Sequence, residues 1–217
     1  MNEAFEQTDL ISVAILAGGQ SRRMGRDKAL LRVGSSTLLE IVAERVKPLG
    51  TELFVVASAR AAYEELGFRV VPDLCPGSGS LGGIYTALTA SRSDRCLVVG
   101  CDMPFLNRTL LHYMCSLPFD YDVLVPVLGG ERSDQGRERT FETLHAIYAR
   151  TALPTIERRV RAGTFKIADL LGDVRTREIT EATLRRFDPE LRSFFNANTR
   201  DDFALVEQIL EHGQNEM

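Results

Sequence analysis

The sequence predicts an α/β protein whose parallel sheet is covered by helices on both faces. Two observations predict it. Short apolar runs alternate with helical patterns through the first half of the chain, the order expected of strand–helix–strand units. Several of those runs read as near-continuous apolar stretches, as strands buried on both faces do. Hydrophobic residues make up 44% and charged residues 26% of the 217, the balance of a water-soluble globular chain.

The elements follow in order. Residues 11–17 form the first strand and run into Gly18 and Gly19. Leu38, Leu39, Ile41, Val42 and Val46 keep helical spacing, with Thr37 and Glu40 in capping-box positions and Gly50 as a stop. Residues 53–57 form a second strand, 61–66 a short helix, and 68–71 a third strand closed by Pro72. A glycine-rich loop opens a helix over 81–90, and 97–100 is a fourth strand. In the second half, 123–127 and 144–148 read as strands. Between them, 129–139 is glycine-rich and charged, and is expected to be a mobile loop. Residues 154–162 form a helix stopped by Gly163. A last helix carries Phe203, Val206, Ile209 and Leu210 on one face, with Thr199 and Asp202 as caps. No linker or repeat interrupts the chain, so one domain over 1–217 is expected, with 1–9 and 213–217 frayed.

Composition excludes some classes. The net charge of −4 argues against general nucleic-acid binding. The four cysteines, at 75, 96, 101 and 115, lack C-x-x-C spacing and read as packed reduced thiols. Residues 1–9 lack the basic and apolar regions of a signal peptide, and no apolar run reaches the roughly 20 residues that span a bilayer. No membrane association and a cytoplasmic location are expected.

Four constellations carry chemistry. In the first, a strand meets Gly18 and Gly19, then Arg22, Arg23, Gly25 and Lys28. Glycines let backbone N–H groups approach anionic oxygens, and the cations can lie over phosphates. A Walker A loop is excluded, because Asp27 precedes Lys28 and Ala29 follows it. A plain glycine turn accounts for neither Gly25 nor Lys28.

In the second, Gly77, Gly79 and Gly82 match G-x-G-x-x-G, and Asp102 follows near the distance of a dinucleotide-fold acid. Five residues, two of them prolines, separate Val71 from Gly77, whereas a dinucleotide fold runs its strand straight into the first glycine. A ligand-closing loop and a purely structural helix entry both explain these glycines. In the third, Asp102 follows a buried strand at its carboxyl edge, where it suits either Mg2+ or a turn cap before Pro104. In the fourth, Asn196 and Asn198 either hold a metal–phosphate region by their amides or cap the last helix.

Together these residues resemble the molybdenum cofactor guanylyltransferase family, MobA. The match runs through Leu16-Ala17-Gly18-Gly19, Ser21-Arg22-Arg23-Met24-Gly25 and Asp27-Lys28, then Asp73 and the loop from Gly77 to Gly83. It continues through Gly100-Cys101-Asp102-Met103-Pro104, the strand from Leu144 to Tyr148, and Asn196-Ala197-Asn198-Thr199. The resemblance implies a Rossmann-like three-layer sandwich of nucleotidyltransferase type, with a mostly parallel mixed sheet. It implies transfer of GMP from GTP to molybdenum–molybdopterin, with Mg2+ as cofactor and pyrophosphate as leaving group. It places Leu16, Ala17, Gly18, Gly19, Asp73 and Gly82 on the nucleotide and Lys28 on its phosphates. Asp102 falls on the Mg2+, with Asn196 and Asn198 beside it. Lys28, Asp102 and Arg22 are the catalytic candidates. Val56-Ala57-Ser58-Ala59 stands where many members carry an asparagine near the nucleotide. Implied protein partners are other molybdenum cofactor biosynthesis proteins or molybdoenzyme chaperones. The neighbouring readings are a cytidylyltransferase for the same cofactor and a sugar-phosphate nucleotidyltransferase. Readings from other classes are a nicotinamide-dependent oxidoreductase and a non-catalytic nucleotide-binding adaptor.

Overall fold

A computed structural model describes residues 11–17, 27–58, 61–129 and 139–214. Its elements are β1 (Ile11–Leu16), the hairpin β2 (Arg32–Val33) and β3 (Ser36–Thr37), α1 (Leu38–Val46), β4 (Glu52–Ala57), α2 (Ala61–Glu64), β5 (Val70–Pro72) and α3 (Gly79–Ala90). Then follow β6 (Arg95–Gly100), α4 (Arg108–Ser116), β7 (Val123–Leu128), β8 (Thr140–Phe141), β9 (His145–Ala149), α5 (Leu153–Arg161), α6 (Ile167–Leu171), β10 (Thr176–Thr180), α7 (Glu181–Leu184) and α8 (Arg200–Gln214).

The main sheet runs β10-β7-β9-β6-β1-β4-β5, with β8 beside β7. β1, β4, β5 and β6 are mutually parallel, as are β7 and β10, while β9 is antiparallel to both β6 and β7. The sheet is therefore mixed and mostly parallel, as the family resemblance implies, with β9 the departure from the parallel sheet read from the strand–helix alternation. A strand that returns antiparallel to its neighbour needs only a loop, whereas a parallel one needs a crossover connection.

Every residue of β1 is buried, and its side chains divide by period two. Val13 and Ile15 pack with Leu39 and Val42 of α1 and Leu110 of α4 on one face. Ala14 and Leu16 pack with Leu81, Ile84 and Leu88 of α3 and Ile156 of α5 on the other. The sheet is thus the middle of three layers. The capping box that opens α1 is present, with the Thr37 N–H donating to Glu40 Oε2 and the Glu40 N–H to Thr37 Oγ1. Cys96 and Cys115 are buried and all four thiols are free.

Some expectations shift. The third strand is 70–72, and Pro72 joins it opposite Ala57, which an edge strand tolerates. The short helix stops at Glu64. Elements without a sequence-based expectation are α4, α6, α7, β8, β10 and the β2–β3 hairpin. The expectations for 1–9, 130–138 and 215–217 lie outside the described residues, whereas 213 and 214 continue α8.

Candidate active site

β1 and β6 lie side by side with Leu16 opposite Gly100, so both strands end at one carboxyl edge. The Cys101 N–H donates to Leu16 O at 3.2 Å, which carries the chain around that edge to Asp102. Gly100 makes room for the carboxylate, because a Cβ there would lie 2.6 Å from Asp102 Oδ1.

Lys28 reaches the same point from another segment. Asp27 caps a single 3-10 turn, Lys28–Leu30, by accepting from the Ala29 N–H at 3.1 Å. The buried Tyr63 hydroxyl donates to Asp27 Oδ2 and lies 3.3 Å from Ala17 O, tying the turn to the end of β1. Burial, then the Asp27 carboxylate, pushes the Tyr63 pKa upward, so the hydroxyl stays a donor. Lys28 Nζ then lies 3.0 Å from Asp102 Oδ2 and 2.8 Å from Asn198 Oδ1.

The third segment precedes α8. The Ala197 N–H donates to Asp102 O at 2.9 Å, which fixes this segment against the end of β6. Asp202 Oδ2 accepts from the N–H groups of Asn198 and Thr199, each at 2.7 Å, and these bonds hold its pKa below the ordinary value. The Asp202 N–H returns to Thr199 Oγ1 at 3.2 Å. Thr199 and Asp202 are the caps expected, and the Asn198 side chain is left for Lys28. Asn196 instead shapes the turn, its Nδ2 donating to Phe194 O at 3.1 Å.

The Asp102 carboxylate goes to the Lys28 ammonium at 3.0 Å. Asp73 lies in the loop after β5. Its Oδ1 accepts from the Cys75 N–H at 2.9 Å and lies 3.2 Å from the Thr86 hydroxyl. The glycines between them have separate backbone reasons. Gly77 and Gly79 take φ of +89° and +59°, and a Cβ on Gly82 would meet Cys75 O at 2.8 Å. A Cβ on Gly83 would meet Leu16 Cδ1 at 2.9 Å, so this helix start packs directly on the end of β1. Leu16 and Ala17 are buried at that junction. Gly18, Gly19 and Arg22 lie outside the described residues.

The donor set suits a hard cation only in part. Among the described residues no group of three His, Cys, Asp or Glu could hold a metal. A single carboxylate such as Asp102 suits Mg2+ where phosphate oxygens and water complete the shell. Sequence reasoning missed Tyr63 and Thr86. Tyr63 sits in a short helix where it reads as a core residue, and Thr86 lies inside an apolar helix pattern.

Residues 13–186 match the family model of the MobA-like NTP transferase domain. A protein of Pelotomaculum thermopropionicum named "Probable molybdenum cofactor guanylyltransferase" is 37% identical over 200 residues, 92% of this chain and 93% of that one. A molybdenum cofactor guanylyltransferase of Desulfosudis oleivorans is 32% identical over 210 residues, 95% of this chain and 98% of that one. Among solved structures, molybdopterin-guanine dinucleotide biosynthesis protein A from Archaeoglobus fulgidus superposes with a TM-score of 0.75 at 31% identity, covering 93% of this chain and 99% of that one.

Proposed function

The chain belongs to the MobA-like NTP transferase family, and on that premise we propose that it is a molybdenum cofactor guanylyltransferase. It transfers GMP from GTP to molybdenum–molybdopterin, forming the guanine dinucleotide cofactor and releasing pyrophosphate. The observation that carries this reading is the meeting of Lys28, Asp102 and Asn198 at the carboxyl edge of β1 and β6.

The acceptor's terminal phosphate is largely ionised near neutral pH and requires no general base. One of its oxygens forms the new bond to the α-phosphorus of GTP. The bond from that phosphorus to the bridging oxygen breaks, and pyrophosphate leaves with the electron pair. Catalysis then rests on positioning and charge neutralisation. Lys28 supplies positive charge, and Asn198 holds its ammonium in place. Asp102 is the residue that would hold Mg2+, whose contribution when bound is to neutralise phosphate oxygens. In this reading Leu16, Ala17, Gly18, Gly19, Asp73 and Gly82 line the nucleotide side, Asn196 shapes the turn beside the metal, and Arg22 joins Lys28 over the phosphates. Residues 1–217 act as one transferase domain in the cytoplasm. Among the described residues no helix is long and apolar enough to cross a membrane. The product passes to molybdenum cofactor biosynthesis proteins or molybdoenzyme chaperones.

The test is pyrophosphate release from the purified protein with molybdenum–molybdopterin and each nucleoside triphosphate in turn. GTP is expected to support turnover and to bind more tightly than CTP. Preference for CTP would overturn guanine and favour a cytidylyltransferase.

A further inference from the structure

β8 and β9 form one antiparallel run along β7, interrupted between Phe141 and His145. The interruption is a turn set into the ladder. The Glu142 N–H still donates to Pro126 O, the His145 N–H turns back to Glu142 O, and the Gly100 N–H donates to Leu144 O, each at 3.0 Å. β6 ends at Gly100, so residues before Leu144 overhang the edge on which Asp102 stands. A break of this kind in a ladder lets the residues within it leave the alternation of the strand.

Other carboxylates around this edge are committed. Asp27 takes the Ala29 N–H and the Tyr63 hydroxyl, Asp73 the Cys75 N–H, and Asp102 the Lys28 ammonium. Glu181 accepts from the Gly129 N–H and from Arg185. Glu142 is half-buried, and its carboxylate has no hydrogen-bond or ion-pair partner among the described residues. Burial alone pushes its pKa upward. A carboxylate withdrawn from water without compensation is costly, and a ligand that supplies donors removes the cost.

The strand order fixes which substrate that is. Leu16 and Asp73 lie towards β1 and β5, whereas Glu142 lies on the β9 side of β6. Asp102 stands between them. The acceptor's pterin carries a 2-amino-4-oxopyrimidine edge, with an exocyclic amine and a ring N–H as adjacent donors. Two carboxylate oxygens match that pair in a bidentate, charge-assisted arrangement. Building on the guanylyl-transfer reading, we propose that Glu142 binds the pterin of the acceptor through this edge. Guanine presents the same donor pair, so the test separates the two.

In pyrophosphate-release kinetics, Glu142→Gln and Glu142→Ala are expected to raise KM for molybdenum–molybdopterin about tenfold or more, by loss of a charge-assisted pair. KM for GTP stays near wild type, and KM for the acceptor rises more than kcat falls. A fluorescence titration supplies a readout apart from turnover. Wild type should bind 6-hydroxymethylpterin more tightly than 1,3-dimethyllumazine, which lacks both donors, and the variants should lose that preference. Unchanged acceptor KM in both variants overturns the proposal, as does a fall in kcat alone. A rise in KM for GTP alone assigns Glu142 to guanine instead. Failure of the wild type to discriminate between the two pteridines overturns it whatever the variants do. If wild type releases no pyrophosphate with GTP and molybdenum–molybdopterin, the parent reading fails, a result distinct from all of these.

Discussion

Lys28 is oriented by groups 74 and 170 positions away, Asp102 and Asn198. In the proposed reaction its charge counts most as pyrophosphate departs. Lys28→Ala should therefore lower kcat by about 10²- to 10³-fold, read by pyrophosphate release, the scale seen when one transition-state donor is lost. Gly100→Ala probes the carboxylate indirectly. The added methyl would sit 2.6 Å from Asp102 Oδ1, the free end of a side chain that can move aside. A loss of activity of about tenfold or more is expected, with a change in Tm of only a few degrees, because the fold yields while the charge is displaced. Equal loss of both would show that Gly100 serves packing alone. At this scale Lys28 and Asp102 stand out in the sequence by residue type, one after a glycine-rich stretch and one at a strand end, and the structure brings them together. That Asn198 serves Lys28 and leaves the cap to Asp202 was not legible, because one side chain suits either task and only the folded register decides.

Among elements, α8 and α3 place the site by how they begin. Asp202 satisfies two N–H groups at the start of α8 and fixes Asn198. Asp202→Ala is expected to lower the urea unfolding midpoint and also to lower activity by loosening Asn198. At α3, Gly82→Ala forces a methyl onto the Cys75 carbonyl, a backbone atom that cannot step aside. A loss of about 1–3 kcal/mol is expected, measured the same way. Central strands were readable because burial on both faces leaves unbroken apolar runs. β10 was not, since only Ile179 of its five residues is buried and the rest look like loop. α4 escaped because its buried Leu110, Leu111, Met114 and Cys115 follow a polar start, and the signal that opens it is a single cap, Asn107 Oδ1 accepting from the Leu110 N–H at 3.0 Å.

For the molecule as a whole, a histidine in the core is expected to contribute to the loss of stability in acid. His145 is fully buried, lies 4.7 Å from the Phe194 ring between centroids, and has no hydrogen-bond partner at either ring nitrogen among the described residues. Burial pushes its pKa down to about 4 from 6.5, against smaller opposing effects of the Ser193 backbone and the Asp188 carboxylate. A depressed folded pKa means that the unfolded chain binds the proton first. The contribution of His145 is therefore fully present above about 6.5 and is lost as pH falls towards about 4, by about 3 kcal/mol. Glu142, shifted upward, acts oppositely, its contribution lost as pH rises through its folded pKa. In His145→Leu the decline between pH 6.5 and 4 should flatten in urea titrations, and an unchanged slope would remove His145 as its source. The rims of the sheet have a consequence for the molecule in crowded solution. On one side β5 is three residues long and ends on Pro72, which has no N–H to offer. On the other, β10 carries Arg177, paired with Asp120 at 3.1 Å, and Glu178, paired with Arg139. A strand from a second copy meets a proline on one rim and fixed charges on the other, so ladder-to-ladder aggregation is disfavoured at both.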